Sequence, residues 1–364
     1  MKKIYTSVIA ATLLTTSACA ESSTIKEAFA NGKASGDISV FSENVSKSGT
    51  NKDSGFTMSS IGLNYETDSI NGFKGALGFR TNHKISEKEK ADFDETTPKS
   101  VLSTANISYS TEKATIVAGR QEIDLEWIGD YHEAVVGVLS YVPNTTIVVG
   151  HTERKMAVDN DAVLEKMSEF NPDGANVVDV KYDGIKGTTI NPYFMDAPDL
   201  FSAYGLKVTT NVSNIDLTAH YAGTSEDVAG KKDGSIAHLE VGTSVSNIAL
   251  TAGYITTGKD NGAGTISALG DNIDPTEDLG DNIYGTDADT FYLGASTDIS
   301  SVSLSALYTT VNYGANDDKI SEVVLTAGTT ISENLALDLL VSSIDAQNSS
   351  DDTSKITLMA AYSF

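Results

Sequence analysis

Apolar and polar positions alternate with a period of two from about residue 33 to the C-terminus, and almost nothing in that span repeats with helical spacing. The last segment is the clearest. Ile356, Leu358, Ala360, Tyr362 and Phe364 share one face, and Thr357, Met359, Ala361 and Ser363 share the other. Successive side chains of a strand point to opposite sides, so this is a strand that is apolar on one side. The spacing apolar-x-Leu-x-(Ala/Leu)-x-(Tyr/Val) recurs from Val302 to Tyr308, Leu335 to Val341, Ile215 to Tyr221 and Ile248 to Tyr254. Earlier segments agree: Ile61, Leu63, Tyr65; Phe73, Gly75, Leu77, Phe79; and Val101, Ala105, Ile107, Tyr109.

The connections alternate in length. Short turns fall near 68–71, 111–112, 143–144, 184–187, 211–214, 246–247, 298–300 and 332–333. Longer stretches rich in Gly, Asp and Asn fall near 44–55, 83–99, 123–131, 155–175, 197–200, 224–234, 258–288, 313–319 and 345–353. Eight turns and nine loops separate eighteen strands, with both chain ends on the short-turn side. Strands of about ten residues, tilted, span a bilayer, and every backbone group inside hydrocarbon has to be paired, which a sheet achieves only by closing on itself. The prediction is therefore an all-β transmembrane antiparallel barrel of about eighteen strands, with short periplasmic turns and long extracellular loops. Its lumen is expected to be polar on nearly every strand, too wide for side chains to fill, and occupied by water. Asn191-Pro192 and Ala197-Pro198 interrupt strands eight to ten and suggest an edge or bulge near an interface. Secreted sandwiches, adhesins and β-solenoids share the alternation, but no fixed short repeat and no Gly-Gly-x-Gly-x-Asp signature is found.

Composition narrows the reading. Fifty acidic against 25 basic residues give a net charge of -25, which repels phosphate backbones and argues against nucleic acid as a partner. No apolar run is long enough for a spanning helix. Lys2 and Lys3, the apolar stretch from Ile4 to Leu14 and Ala18-Cys19-Ala20 predict a secretory signal over 1–20, cleaved before Glu21. The alternative is a lipoprotein signal with Cys19 acylated. Cys19 is the single cysteine, so cleavage after residue 20 leaves no disulfide and no thiolate metal site. The expected organisation is a signal peptide over 1–20, a short periplasmic segment over 21–33 and one barrel domain over 34–364.

A family resemblance then adds to the pattern. Ile25-Lys26-Glu27-Ala28-Phe29 with Asn31 to Asp37, the strand end Ala118-Gly119-Arg120-Gln121, Ala203-Tyr204-Gly205-Leu206-Lys207, Asp287 to Tyr292 and the closing Tyr362-Ser363-Phe364 resemble the Opr/OprD-like outer-membrane porins, nearest to the major porins of epsilon-class proteobacteria. The resemblance covers most of the chain thinly, through the order of its motifs. It implies an eighteen-stranded barrel in the Gram-negative outer membrane, often a homotrimer, with loops folded inward and passive passage of small hydrophilic solutes and ions. Outer-membrane lipid and lipopolysaccharide are expected partners of the rim and of the acidic loops, whose carboxylates could bridge lipopolysaccharide phosphates through calcium or magnesium. OprD-type members guide carboxylates along a basic ladder, whereas this chain has three arginines.

Those arginines, Arg80, Arg120 and Arg154, are expected at the loop-side ends of the third, fifth and seventh strands. Lys74 and Arg80 share the lumen face of the third strand, opposite Phe73, Leu77 and Phe79, whereas the face of Arg120 is ambiguous. With Asp124, Glu126, Asp130 and Glu133 they form a candidate constriction of opposed charges. The competing reading is rim salt bridges or headgroup contacts. A further run of acids between strands thirteen and fourteen predicts a negative vestibule and cation preference. Asp281, Asp287 and Asp289 are weak candidates for loop-bound calcium or magnesium; no other cofactor is expected, and a solvated acidic surface is the plainer reading. Val163, Met167 and Phe170 have helical spacing within the fourth loop. His83, His132, His151, His220 and His238 lack metal-ligand spacing, and no nucleophile elbow, P-loop or dinucleotide fingerprint occurs, so an enzyme is not expected. Two functions follow: a weakly selective diffusion channel, or a surface adhesin or structural barrel without significant conductance.

Overall fold

A computed structural model describes residues 21–270 and 273–364; the predicted signal lies outside them. Eighteen strands form the wall: β1 (Lys33–Lys47), β2 (Ser54–Glu66), β3 (Phe73–Glu87), β4 (Ser100–Ser110), β5 (Ala114–Glu122), β6 (Tyr131–Leu139), β7 (Thr145–Met156), β8 (Ala175–Ile185), β9 (Thr188–Ala197), β10 (Phe201–Val212), β11 (Ile215–Glu226), β12 (Ser235–Val245), β13 (Ile248–Thr257), β14 (Asp289–Ile299), β15 (Val302–Tyr313), β16 (Asp318–Ser332), β17 (Leu335–Asp345) and β18 (Thr353–Ser363). Each pairs antiparallel with its sequence neighbours, and β1 also pairs with β18, so the sheet has no free edge. Phe364 completes the seam by exchanging backbone hydrogen bonds with Gly36, 3.0 Å each way. A two-residue strand, Ser168–Glu169, adds to the end of β7.

The period-two pattern sets which side faces out. Leu217, Leu239, Leu250, Leu293 and Leu325 are exposed on the outer wall although they are large and apolar. On the loop side Phe194, Tyr204, Tyr221, Tyr254, Phe291 and Tyr308 form an aromatic row over β9 to β15. On the turn side Phe73 and Tyr109 pack with tilted rings at 4.7 Å, and Tyr362 lies beside Phe364. An apolar band bordered by aromatics is what a bilayer selects on a barrel.

Ile25–Ala30 is a short helix capped by Thr24, whose hydroxyl accepts from the Glu27 N–H, while the Glu27 carboxylate accepts from the Ser23 N–H. Pro192 does not create an edge, because β9 pairs with β8 and with β10. The ladder shifts register between Thr188 and Ile190, and Asn191 Nδ2 donates to the Val180 carbonyl at 2.9 Å, beside the proline that has no N–H to give.

The loops L2 (88–99), L3 (123–130), L4 (157–174) and, over its described residues 258–270 and 273–288, L7 turn back into the barrel. The helical turn suggested by the spacing of Val163, Met167 and Phe170 does not form: 163–167 are irregular and Ser168–Glu169 pair as a short strand. The segment's apolar side chains serve separate clusters: Val163 packs with Phe41, Met58 and Phe93, Leu164 and Met167 with Met156, and Phe170 against the main cluster around Trp127. A helix would have gathered them on one face.

Candidate lumen constriction

Inward side chains divide the lumen in two. Its turn-side half is polar, lined by Lys181, Asp216, Asp298 and Asp338 among Ser and Thr such as Thr218, Thr251, Ser296, Ser303 and Thr326. The loop-side half is largely packed. Trp127 and Ile128 of L3 and Ile266, Leu269, Leu279 and Ile283 of L7 bury against Val136, Tyr193, Ile236, Ile255 and Val311 of the inner wall. The expectation of a polar, water-filled lumen on nearly every strand is corrected here: β6 turns Ala134, Val136 and Val138 inward, because the loops folded inside bring apolar faces that have to be covered.

The charged side chains of this level form three groups. On β18, Lys355 Nζ lies 2.6 Å from Asp278 and 3.1 Å from Glu277, both in L7. Glu322 of β16 accepts the backbone N–H groups of the same two residues at 3.0 and 3.1 Å, so the L7 tip is fastened to the wall from two sides. Glu43 of β1 stands within electrostatic reach of Lys355. On β3, Arg80 makes a two-pronged contact with Asp37 of β1 at 2.5 and 2.9 Å, and donates to Ser60 at 2.7 Å. Any side chain at Gly62 would strike this guanidinium. L4 is tied to the same arc by Asn82, which donates to the carbonyls of Asp159 and Ala162.

The third group holds L3. Glu126 is buried and accepts from Lys207 of β10 at 2.7 Å, and its other oxygen lies 3.9 Å from His220 of β11. Burial pushes the Glu126 carboxyl up, but the charge and hydrogen bond of Lys207, helped by Lys181, more than offset it and hold the group below its ordinary value. Trp127 is fully buried with a φ of +63°, an uncommon conformation for a bulky residue. Its indole donates to Tyr193 at 2.8 Å. A carboxyl held below its usual value stabilises the fold above its unfolded pKa and loses that contribution as pH falls through the folded one. L3 should therefore stay seated on acidification to about pH 4, the ordinary Glu range. As Trp127 is the single tryptophan, its emission reports this directly; a red shift beginning above about pH 5 would contradict the pairing.

Of the residues singled out in the sequence, Arg80, Lys74 and Glu126 face the lumen. Arg80 sits mid-strand, because β3 extends to Glu87, and Lys74 pairs with Glu66 at 2.7 Å near the turn side. Asp124 and Asp130 are exposed on L3. Arg120, Glu133 and Arg154 do not face the lumen: they share the outer faces of Ile116, Val135 and Val149. Glu133 lies 2.5 Å from Arg120 and 3.4 Å from Arg154, so these are paired residues of the outer wall near its loop-side rim. Glu153 has no cross-strand mate where β6 and β7 shift register, and this extra residue brings Arg154 opposite Glu133. Asp281, Asp287 and Asp289 are not gathered; Asp289 accepts from Tyr254, and no metal-competent group of three appears among the described residues. Lys207, Lys355 and Asp37 were missed. Their alternation with outward neighbours marks an inward face, but nothing in the sequence names their loop partners.

No family model matches the chain, and no curated protein matches it. Solved structures do. OccK3 (OpdO) of Pseudomonas aeruginosa superposes with a TM-score of 0.76 at 14% identity, covering 93% of this chain and 97% of that one. Their fold is this chain's fold. OccAB1 of Acinetobacter baumannii gives 0.77 at 13% identity over 95% and 99%, and OpdK of Pseudomonas aeruginosa, solved with vanillate, gives 0.71 at 12% over 91% and 98%. These are outer-membrane porins of the OprD kind, so the eighteen-stranded architecture expected from the motifs is present.

Proposed function

We propose that the protein is an outer-membrane channel for passive diffusion of small hydrophilic solutes and ions, with a preference for cations. The observation that carries this reading is a seamless cylinder with an apolar, aromatic-bordered outer wall and a charged, hydroxyl-rich turn-side lumen. Such a wall belongs in a bilayer, and such an interior has no use for lipid. Cation preference rests on the acidic excess and on Glu43, Glu277, Asp278 and Glu322 gathered about Lys355. Residues 1–20 would direct export and be removed, and a homotrimer in contact with outer-membrane lipid and lipopolysaccharide would be the working form. Purified protein in a planar bilayer is expected to give discrete ohmic steps with reversal potentials favouring cations. Electrically silent protein that is folded and inserted would instead support an adhesive or structural barrel.

A further inference from the structure

Two tyrosines lie flat over glycines of the inner wall and meet at a pair of histidines. Tyr193 of β9 covers Gly205 of β10, and Tyr292 of β14 covers Gly253 of β13; a Cβ on either glycine would fall inside the ring. Between them His220 of β11 and His238 of β12 stand directly opposite each other in the ladder. The Tyr193 hydroxyl lies 2.8 Å from His220 Nε2, and the Tyr292 hydroxyl 2.7 Å from His238 Nε2. All four side chains are buried.

Each hydroxyl has one proton to give, and the acceptors within reach of it indicate the tautomers. Tyr193 Oη already accepts from the Trp127 indole, which can only donate. Tyr193 then donates to His220 Nε2, which is an acceptor and carries no proton. Tyr292 Oη lies 2.6 Å from Glu240 Oε2, and a carboxylate has no proton to offer. The Tyr292 proton is thus committed to Glu240, and the 2.7 Å contact with His238 requires His238 Nε2 to donate. The groups that face this row are Glu126 from L3, Lys207 from β10 and Glu240 from β12.

We propose that His220 and His238 are neutral and held in opposite tautomers, His220 with its proton on Nδ1 and His238 with its proton on Nε2, and that His220 is the positioning residue that seats L3 in the lumen through Tyr193 and Trp127. The contacts Trp127–Tyr193–His220 and Glu240–Tyr292–His238 orient the row, although the His220 Nδ1–H finds no partner in it, and L3 is joined to the row by the indole, while Glu126 ties L3 to Lys207 beside it. The placement deepens the channel reading, since L3 narrows the lumen, but it does not need the chain to conduct.

Nitrogen-15 NMR of folded protein labelled in its histidines, in detergent micelles at neutral pH, decides the tautomers. With His220→Gln and His238→Gln used for assignment, His220 is expected to show a protonated Nδ1 and His238 a protonated Nε2. Two identical tautomers, or a charged ring at either position, would overturn the assignment. The positioning role is tested by acrylamide quenching of Trp127. His220→Leu removes the acceptor and should raise the quenching constant several-fold, whereas His220→Gln, which keeps an acceptor at the Nε2 position, should stay near wild type. Unchanged quenching in the leucine variant, or equal loss with glutamine, would refute the role. If His220→Leu does not fold, the same comparison is made with Tyr193→Phe, which deletes only the hydroxyl; unchanged quenching there refutes it equally. None of these measurements depends on conductance, so a silent barrel with the expected tautomers would count against the channel alone.

Discussion

Lys355→Met should raise single-channel conductance by at least about twofold and shift the reversal potential further towards cations. Lys355 is the cation that the structure places between Asp278 and Glu277 of the L7 tip, with Glu322 and Glu43 on the neighbouring wall. Methionine keeps the length of the side chain and removes its charge. The carboxylates then repel one another without a counter-ion, and the L7 tip loses one of its two fastenings. Removing one partner of a fully buried pair costs about 3–5 kcal/mol, and less is expected here because Asp278 keeps about a third of its side-chain exposure. That loss falls on the loop's attachment and not on the closed ladder, so the barrel should remain folded. An unchanged current-voltage curve from a folded Lys355→Met barrel would place the permeation path away from β18.

Gly205→Val and Gly253→Val should each destabilise the barrel more than any exposed substitution on the outer wall. A Cβ at these positions falls within the rings of Tyr193 and Tyr292. Each ring would have to leave its seat, giving up its hydrogen bonds to His220 or to His238 and Glu240. Overpacking of this kind costs about 1–3 kcal/mol, and a buried hydroxyl left without a partner about 1–3 kcal/mol more. The measurement is the denaturant midpoint of the detergent-solubilised protein, read by loss of the fast-migrating folded form on an unheated gel. Gly137→Ala, whose added carbon meets only ordinary van der Waals contact with Val149, serves as the control and should lie near wild type. Valine at Gly205 or Gly253 matching that control would mean that the tyrosines do not rest on the wall.

These effects act on residues that differ in how readily the sequence disclosed them. Gly205 lay within a motif that pointed to the family, yet its role as the seat of Tyr193 was hidden, since it depends on the register that sets β9 against β10. Arg80 was placed in the lumen by the period of two along β3: Leu77 and Phe79 face out, so Arg80 faces in. Its partner Asp37 lies two strands away and could not be read from spacing. Arg120 shows the limit of the same reasoning. Its segment is apolar on both faces, because β5 buries Val117 on one side while Ile116 faces out on the other, and alternation alone could not choose between them.

The chain by itself determined the strands, the alternation of short turns and long loops, and which side of most strands faces out, because each of these is a local property: a period of two and the composition of the connection between periods. It also determined that the cylinder must close, since a ladder with an apolar outer face and no other cover leaves no place for a free edge. Only the tertiary structure decided what fills the cylinder. L3 and L7 carry apolar residues that find partners solely across the lumen, on strands far away in sequence, and the pairings of Lys207 with Glu126 and of Lys355 with Asp278 exist because those loops turn inward. The physical reason is that a strand's face is fixed by its neighbours one and two residues away, whereas a loop's path is fixed by surfaces that come together only when the barrel is closed.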